Sequence, residues 1–399
     1  MGRVVVGVCL LLSLTTALAE EPAKLQFLPD SAATCLDGTP AGFYARVSEA
    51  QQKWVVFLEG GGVCATRETC LARATTALGS SHYWPRVLDL DKIGKVVLSS
   101  NSSDNPFADW NRVYVPYCSG DFHAGGGAKH WGISFNGARI VESLVAQLPL
   151  AAGATLLLSG GSAGGIGTIL NIDRVAALVP SGVRVLGNPE GGFIHDIEMY
   201  TGPGATRPAE NVTDDQVVRM ANMFGFVPPK TCKAQPPEYC ILTQHAVPYV
   251  QSPLFIHEAL TDSVITCIYS GLPCDSEKQM DSNPAVVTYL REYAANITGL
   301  LRTFAASRAD GGVFAPACLL HTNFRAEKPV ISGRAPFAAL WDWVRVREGG
   351  DGGRGGGGGE TSFVTIDSCE PRFPACNPTC PPPNLLHLSA QETSMHDVM

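Results

Sequence analysis

The sequence predicts an α/β fold, a mostly parallel sheet covered by helices on both faces. Short apolar runs alternate with helix-like segments along most of the 399 residues, the pattern of parallel strands joined by crossover helices. One apolar run ends abruptly in Gly-x-Ser-x-Gly and leads into a helix-like segment. The chain is also long enough to build a large core, read here as one domain over residues 20–399. In such sheets the loops at the carboxyl ends of the strands carry the chemistry.

Taken in order, residues 1–19 have a basic start at Arg3, an apolar stretch over 4–14, and Ala17-Leu18-Ala19 before Glu20. That is the pattern of a secretory signal peptide. Its apolar run is too short to span a bilayer, and no later uninterrupted run approaches the ~20 residues that a transmembrane helix needs. The mature chain is therefore expected outside the cell, free or in a cell wall. Cys9 leaves with the leader, and the even number of cysteines that remains suits disulfides in an oxidising compartment. Cys64 and Cys70 are spaced to close a small loop, while Cys369, Cys376 and Cys380 crowd a Cys/Pro-rich tail that a disulfide would pin. The cysteine spacings do not suit zinc, and no metal is expected. Asn-x-Ser/Thr sequons at Asn101, Asn211 and Asn296 fit a glycosylated secreted protein. The formal net charge is −8, and no lysine or arginine cluster tracks a phosphate backbone, so nucleic acid is not an expected partner.

Buried strands are expected over 54–58, 95–98, 112–115, 154–158, 183–186 and 253–256, and helices over 138–148, 165–179, 214–224 and 284–304. The glycine-rich stretch 349–359 follows no strand and opens no helix, so it reads as a surface insertion. The polar end, 391–399, is expected to fray.

The strand at 154–158 runs into Ser159-Gly160-Gly161-Ser162-Ala163-Gly164-Gly165. A serine on a tight strand-to-helix turn projects its hydroxyl, and side chains two residues away on either side would clash across the turn. Ser162 is the candidate nucleophile. A serine hydroxyl needs a base to take its proton, usually a histidine oriented by a carboxylate, and behind such an elbow the order along the chain is Ser, acid, His. The strand ending at Ile256 leads through His257-Glu258-Ala259-Leu260-Thr261-Asp262, which offers Asp262 as the acid with Glu258 as its rival. Among later histidines, His321 stands beside Cys318, which could anchor its loop, while His387 and His396 lie in the tail. His123 and His130 are expected to line a pocket. For an oxyanion, the early strand ends in Glu59-Gly60-Gly61-Gly62, whose backbone can turn its amides to one point. Gly61, Gly62 and Ala163 are the candidate donors.

These segments together resemble one known family. Phe57-Leu58-Glu59-Gly60-Gly61-Gly62-Val63-Cys64, Asn105-Pro106 through Trp110-Asn111-Arg112-Val113, Tyr117-Cys118, the elbow, Asp173-Arg174 and 318–321 match the pectin acetylesterase/Notum family in order and spacing over 36–380. The resemblance implies an α/β-hydrolase fold and a serine carboxylesterase without metal or cofactor. It implies Ser162 as nucleophile, Asp262 as the orienting acid, His321 as base, and an oxyanion hole from Gly61, Gly62 and Ala163.

The chain departs from the family pattern at Gly161, usually cysteine, and at Val63, tryptophan in plant members. It departs again at 119–123, where an Asp-Gly pair is altered, and in the glycine-rich stretch. These changes bear on substrate rather than chemistry. The family divides between enzymes that deacetylate cell-wall pectin and enzymes that remove a long unsaturated acyl chain from a secreted signalling protein. Gly60-Gly61-Gly62 looks closer to the first, so the expected substrate is an O-acetylated extracellular polysaccharide of pectin type, cleaved by a monomer. Removal of a long acyl chain from a lipidated secreted protein is the alternative. A reading of another class is a catalytically inactive carbohydrate-binding module on a hydrolase scaffold.

Overall fold

The computed structural model describes residues 21–48, 50–206, 214–274, 280, 282–349, 362–368 and 376–382. The signal segment, the sequon at Asn211, all but the first residue of the glycine-rich stretch, Cys369, His387, His396 and the polar end lie outside the described residues. In chain order the strands begin with β1 (Ala23–Phe27), β2 (Gly42–Arg46), β3 (Lys53–Leu58), β4 (Val87–Leu88) and β5 (Asn111–Val115). They continue with β6 (Ala128–His130), β7 (Ile133–Phe135), β8 (Thr155–Gly161), β9 (Arg184–Glu190) and β10 (Phe255–His257). The last four are β11 (Thr261–Asp262), β12 (Gly312–Ala315), β13 (Leu319–Leu320) and β14 (Val364–Ile366). The helices are α1 (Arg67–Arg73), α2 (Gly137–Val145), α3 (Ala163–Leu178), α4 (Asp214–Phe224), α5 (Thr243–Ala246), α6 (Pro284–Ser307) and α7 (Pro336–Arg347).

Ten strands form one sheet in the order β14-β12-β10-β9-β8-β3-β5-β2-β1-β4. From β14 to β5 every neighbour is parallel, and β2, β1 and β4 extend the sheet antiparallel. The central strands are apolar on both faces because both are covered. Successive strand residues point to opposite sides, so Trp54, Val56 and Leu58 of β3 enter one core and Val55 and Phe57 the other. Leu156 and Leu158 of β8 join the first core and Leu157 the second. Helices α2, α3 and α6 fill the first core, through residues such as Ile140, Ile169 and Leu301, while α7 closes the second with Phe337, Leu340 and Trp343. This is the α/β sheet, helix-covered on both sides, that the sequence predicts.

One expected strand is absent. Residues Val96–Leu98 form a 3-10 turn after Gly94, whose φ is +75°. Val97 and Leu98 are buried as plugs in the second core rather than as a strand. A three-residue apolar run, Val96–Leu98, has no period to separate the two cases.

Five disulfides occur among the described residues: Cys35–Cys118, Cys64–Cys70, Cys232–Cys240, Cys267–Cys274 and Cys318–Cys380. Cys64–Cys70 closes the small loop its spacing suggests. Cys318–Cys380 holds the tail against the segment that leads to His321, and Asn377 adds hydrogen bonds from Nδ2 to Asp367 Oδ2 (2.7 Å) and to the Val330 carbonyl (2.9 Å).

His257, at the end of β10, is fully buried beneath Phe324 and Phe337. Its Nδ1 accepts from Asn188 Nδ2 (3.1 Å) and its Nε2–H donates to the Pro336 carbonyl (3.2 Å), a pairing that fixes the neutral tautomer. Burial pushes the ring down to about 3, offset only in part by the Pro336 bond. An unfolded imidazole takes up its proton near pH ~6.5 and the folded one does not, so His257's contribution is full above that pH and is lost as pH falls toward 3. His257→Gln is therefore expected to be less stable than wild type at pH ~7, with the gap narrowing by pH ~4.5. Urea midpoints at the two pH values check this, and a gap that does not change with pH contradicts it.

Candidate active site

Ser162 sits between β8 and α3 with φ 56° and ψ −122°, a region that costs a non-glycine residue strain. Its amide donates to the Glu190 carbonyl at 2.8 Å, which ties the turn to the end of β9. The flanking glycines are required by backbone contact. A Cβ on Gly160 would stand 2.3 Å from the Gly164 carbonyl oxygen, and a Cβ on Gly164 would stand 2.0 Å from that of Leu58. Gly161 differs: the nearest atoms to a Cβ there are side-chain atoms at 3.4 Å and beyond.

Asp262 and His321 come from loops beyond β10 and β12. The two loops pair as the short parallel strands β11 and β13, with Asp262 opposite Leu320. This register brings Asp262 Oδ2 to 2.5 Å from His321 Nδ1. The other carboxylate oxygen accepts the amides of Val264 (2.9 Å) and Ile265 (3.0 Å), so the acid is held on both sides. His321 Nε2 has no hydrogen-bond partner among the described residues. Gly191, at φ +57°, packs under the ring, where a Cβ would meet His321 Nδ1 at 3.0 Å. Glu258, the rival acid, touches Asp262 rather than the imidazole. Its Oε2 accepts the Phe193 amide (2.8 Å), and burial, then the Asp262 charge, pushes its carboxyl well up.

Ser162, Ala163, Gly62 and His321 border one cavity of about 660 Å³, while Gly61 lies outside its lining. Gly61 and Gly62 have φ of +143° and +66°, left-handed values that favour glycine. The amides of Gly61, Gly62 and Ala163 donate to no acceptor among the described residues. The rest of the wall is mainly apolar, with Val63, Ile166, Ile194, Met220, Met223 and Leu242 contributed by separate segments. His130 lines the cavity but His123 does not: its ring lies against Tyr117 and its Nε2 bonds the Glu59 carbonyl (2.9 Å). Asp121, in the altered Asp-Gly segment, accepts the amides of Gly125 (3.2 Å) and Gly137 (2.9 Å) and serves the loop rather than the cavity. Among the described residues no group of three or more His, Cys, Asp or Glu side chains is placed to hold a metal ion.

Beneath the elbow lies a charged cluster that sequence reasoning missed. Lys95 is half-buried near Glu59 and Glu190, and its Nζ donates to the Thr322 carbonyl at 3.1 Å, next to His321. Burial pushes Lys95 down against the pull of both carboxylates, and it raises Glu190 to about 7 against the pull of Lys95. A lysine inside a run read as a strand carried no signal of this role. The combination of a strained serine, an Asp-oriented imidazole and unengaged amides around one cavity is equipped for acyl transfer.

A pectinacetylesterase family model matches residues 17–381. The Xenopus laevis palmitoleoyl-protein carboxylesterase notum1 is 30% identical over 400 residues, covering 94% of this chain and 78% of its own. Arabidopsis thaliana pectin acetylesterase 4 is 27% identical over 338 residues, covering 78% of this chain and 80% of its own. Among solved structures, that of the Wnt deacylase Notum from Drosophila superposes with a TM-score of 0.76 at 26% identity, covering 90% of this chain and 99% of that one. The fold is thus the α/β-hydrolase type.

The two glycines of the elbow separate in a mutational test. Gly164→Ala is expected to lower the melting temperature by several degrees, because a Cβ would meet backbone, whereas Gly161→Ala is tolerated. Differential scanning fluorimetry compares them, and equal losses contradict the packing argument.

Proposed function

We propose, from the premise that this chain belongs to the pectinacetylesterase family, that it is a carboxylesterase in which Ser162 is the nucleophile and a long acyl chain is the preferred substrate. Members of this family are carboxylic ester hydrolases, and the preference rests on one observation, the apolar cavity of about 660 Å³ that Ser162 borders. Pockets of that size bury most of a drug-sized ligand. An acetyl group would leave nearly all of it empty, whereas an alkyl chain gains by burying each methylene. Met220 and Met223 on the wall suit a flexible chain because the thioether adapts its shape.

In this reading His321 Nε2 takes the proton of the Ser162 hydroxyl as its oxygen attacks the ester carbonyl. Asp262, through Nδ1, stabilises the imidazolium that forms. The negative oxygen of the tetrahedral intermediate is met by the amides of Gly62 and Ala163 at the cavity wall, with Gly61 as third donor. Collapse breaks the ester C–O bond, and the alcohol leaves with the proton from His321. Water, activated by the same imidazole, then attacks the acyl-enzyme and restores Ser162.

The compartment and the alcohol belong to the same proposal. The five disulfides favour an oxidising compartment, and no helix among the described residues is long and apolar enough to cross a membrane. Asn101 and Asn296 are exposed, as glycosylation would require. We assign the chain to the secreted space, and its substrate to the acylated proteins, as the name of the Xenopus relative, a palmitoleoyl-protein carboxylesterase, suggests by analogy. Deacetylation of a polysaccharide is the second reading, and the Arabidopsis relative favours it.

Hydrolysis of p-nitrophenyl esters from acetate to long acyl tests this. kcat/KM is expected to rise from acetate to medium and long chains, and Ser162→Ala to lose at least about a thousandfold while keeping its circular dichroism. A peak at acetate supports the polysaccharide reading. Activity that survives Ser162→Ala overturns the nucleophile assignment.

A further inference from the structure

His195 is a buried polar side chain of the cavity wall with no role in the reaction described above. It is 3% exposed and borders the same cavity as Ser162. Its position is set by the backbone pinned just before it: the Phe193 amide donates to Glu258 Oε2, the Ile194 amide to Thr243 Oγ1 (2.7 Å), and the Gln244 amide to the Ile194 carbonyl (2.9 Å). The ring lies 4.9 Å from that of Tyr293 on α6, so it is held from behind.

What distinguishes His195 is that no hydrogen bond among the described residues engages either ring nitrogen. Nδ1 is sealed in protein without a partner, which leaves Nε2 as the nitrogen open to a ligand. His257 shows the contrast in the same molecule, with both ring nitrogens paired. The charges near the His195 ring are Asp196 and Asp262, and burial outweighs both, pushing it down to about 4. The imidazole is therefore neutral, with one N–H. A sealed N–H without an acceptor costs more than an unpaired lone pair, so the proton belongs on Nε2.

We propose that His195 is a specificity residue that selects acyl chains carrying an oxygen along their length, with Nε2–H donating to a hydroxyl, keto or epoxide oxygen. A purely apolar chain that covers this donor leaves it unpaired in a mainly apolar wall, whereas an oxygenated one pairs it. A site built around a buried polar group rejects ligands that cannot satisfy it far more strongly than an apolar pocket rejects an extra methylene. The proposal rests on the esterase reading of Ser162 and extends it from chain length to chain chemistry.

The test compares p-nitrophenyl decanoate with its positional hydroxydecanoate isomers on wild type, His195→Leu and His195→Gln. At least one isomer is expected to exceed the plain chain by about tenfold in kcat/KM on wild type, with the preference lost or reversed in His195→Leu and partly kept in His195→Gln. No favoured isomer on wild type, or a preference unchanged in His195→Leu, overturns the assignment. If no ester is hydrolysed, the esterase reading fails separately. Thermal shifts of wild type with free hydroxydecanoic acids against decanoic acid then decide His195, a larger shift for a hydroxy acid supporting it and equal shifts overturning it.

Discussion

The site depends on a backbone-to-backbone crossing between the start of α3 and the end of β3. Gly164 lies so close to the Leu58 carbonyl that no side chain fits between them. The glycine loop that follows β3 is held by a second crossing of the same kind, since a Cβ on Gly60 would stand 2.5 Å from the Gly161 carbonyl oxygen and 2.9 Å from Ser162 Cβ. The strained serine turn and the loop that carries Gly61 and Gly62 are thereby fixed against each other. Relative position within a fraction of an ångström is what an oxyanion site requires, and rigid backbone supplies it without a cost at the moment of reaction.

The acid and base reach this place by a different device. Their loops leave two neighbouring strands, β10 and β12, and pair for only two residues as β11 and β13. So short a ladder is weak alone, and it is reinforced by the Cys318–Cys380 disulfide, by the two amides on Asp262, and by Lys95 on the carbonyl of Thr322. Glu59 and Glu190 lie close enough to Lys95 for their charges to oppose the downward shift that burial imposes on it.

The parts that were legible in the sequence are those whose cause is local. Glycines flanking a serine after an apolar run mark an elbow because the clash they avoid lies within five residues. The strands β3 and β8 announce themselves because burial on both faces makes their middles apolar without a break, and β5 and β9 do so through the shorter runs Val113–Val115 and Val185–Leu186. Asp262 and His321 were reachable through their place after late strands, although their contact depends on a pairing about sixty residues apart in sequence, at a separation that no local pattern encodes. The antiparallel strands β1, β2 and β4, the short β12 and β14, and helix α7 carry no such local mark, and the run at 95–98, which reads as a strand, is a plug in the second core. Cavity size was illegible for the same reason. Its wall draws on the loop before α1, on α3 and α4, on 194–197 and on 264–269, and only the folded chain sets the distances between them.

The sequence inclines toward a short acyl group, through three glycines that resemble the polysaccharide branch, while the cavity inclines toward a long one. Space beside the nucleophile bears on the substrate more directly than does loop composition. The measurement that tests this account most directly is intact-mass and peptide-mapping analysis of the protein after reaction with alkyl fluorophosphonates of increasing chain length. The account predicts a single adduct on Ser162, formed faster with a long alkyl chain than with a methyl group. An adduct on another residue, no adduct at all, or a rate that falls as the chain lengthens would contradict it.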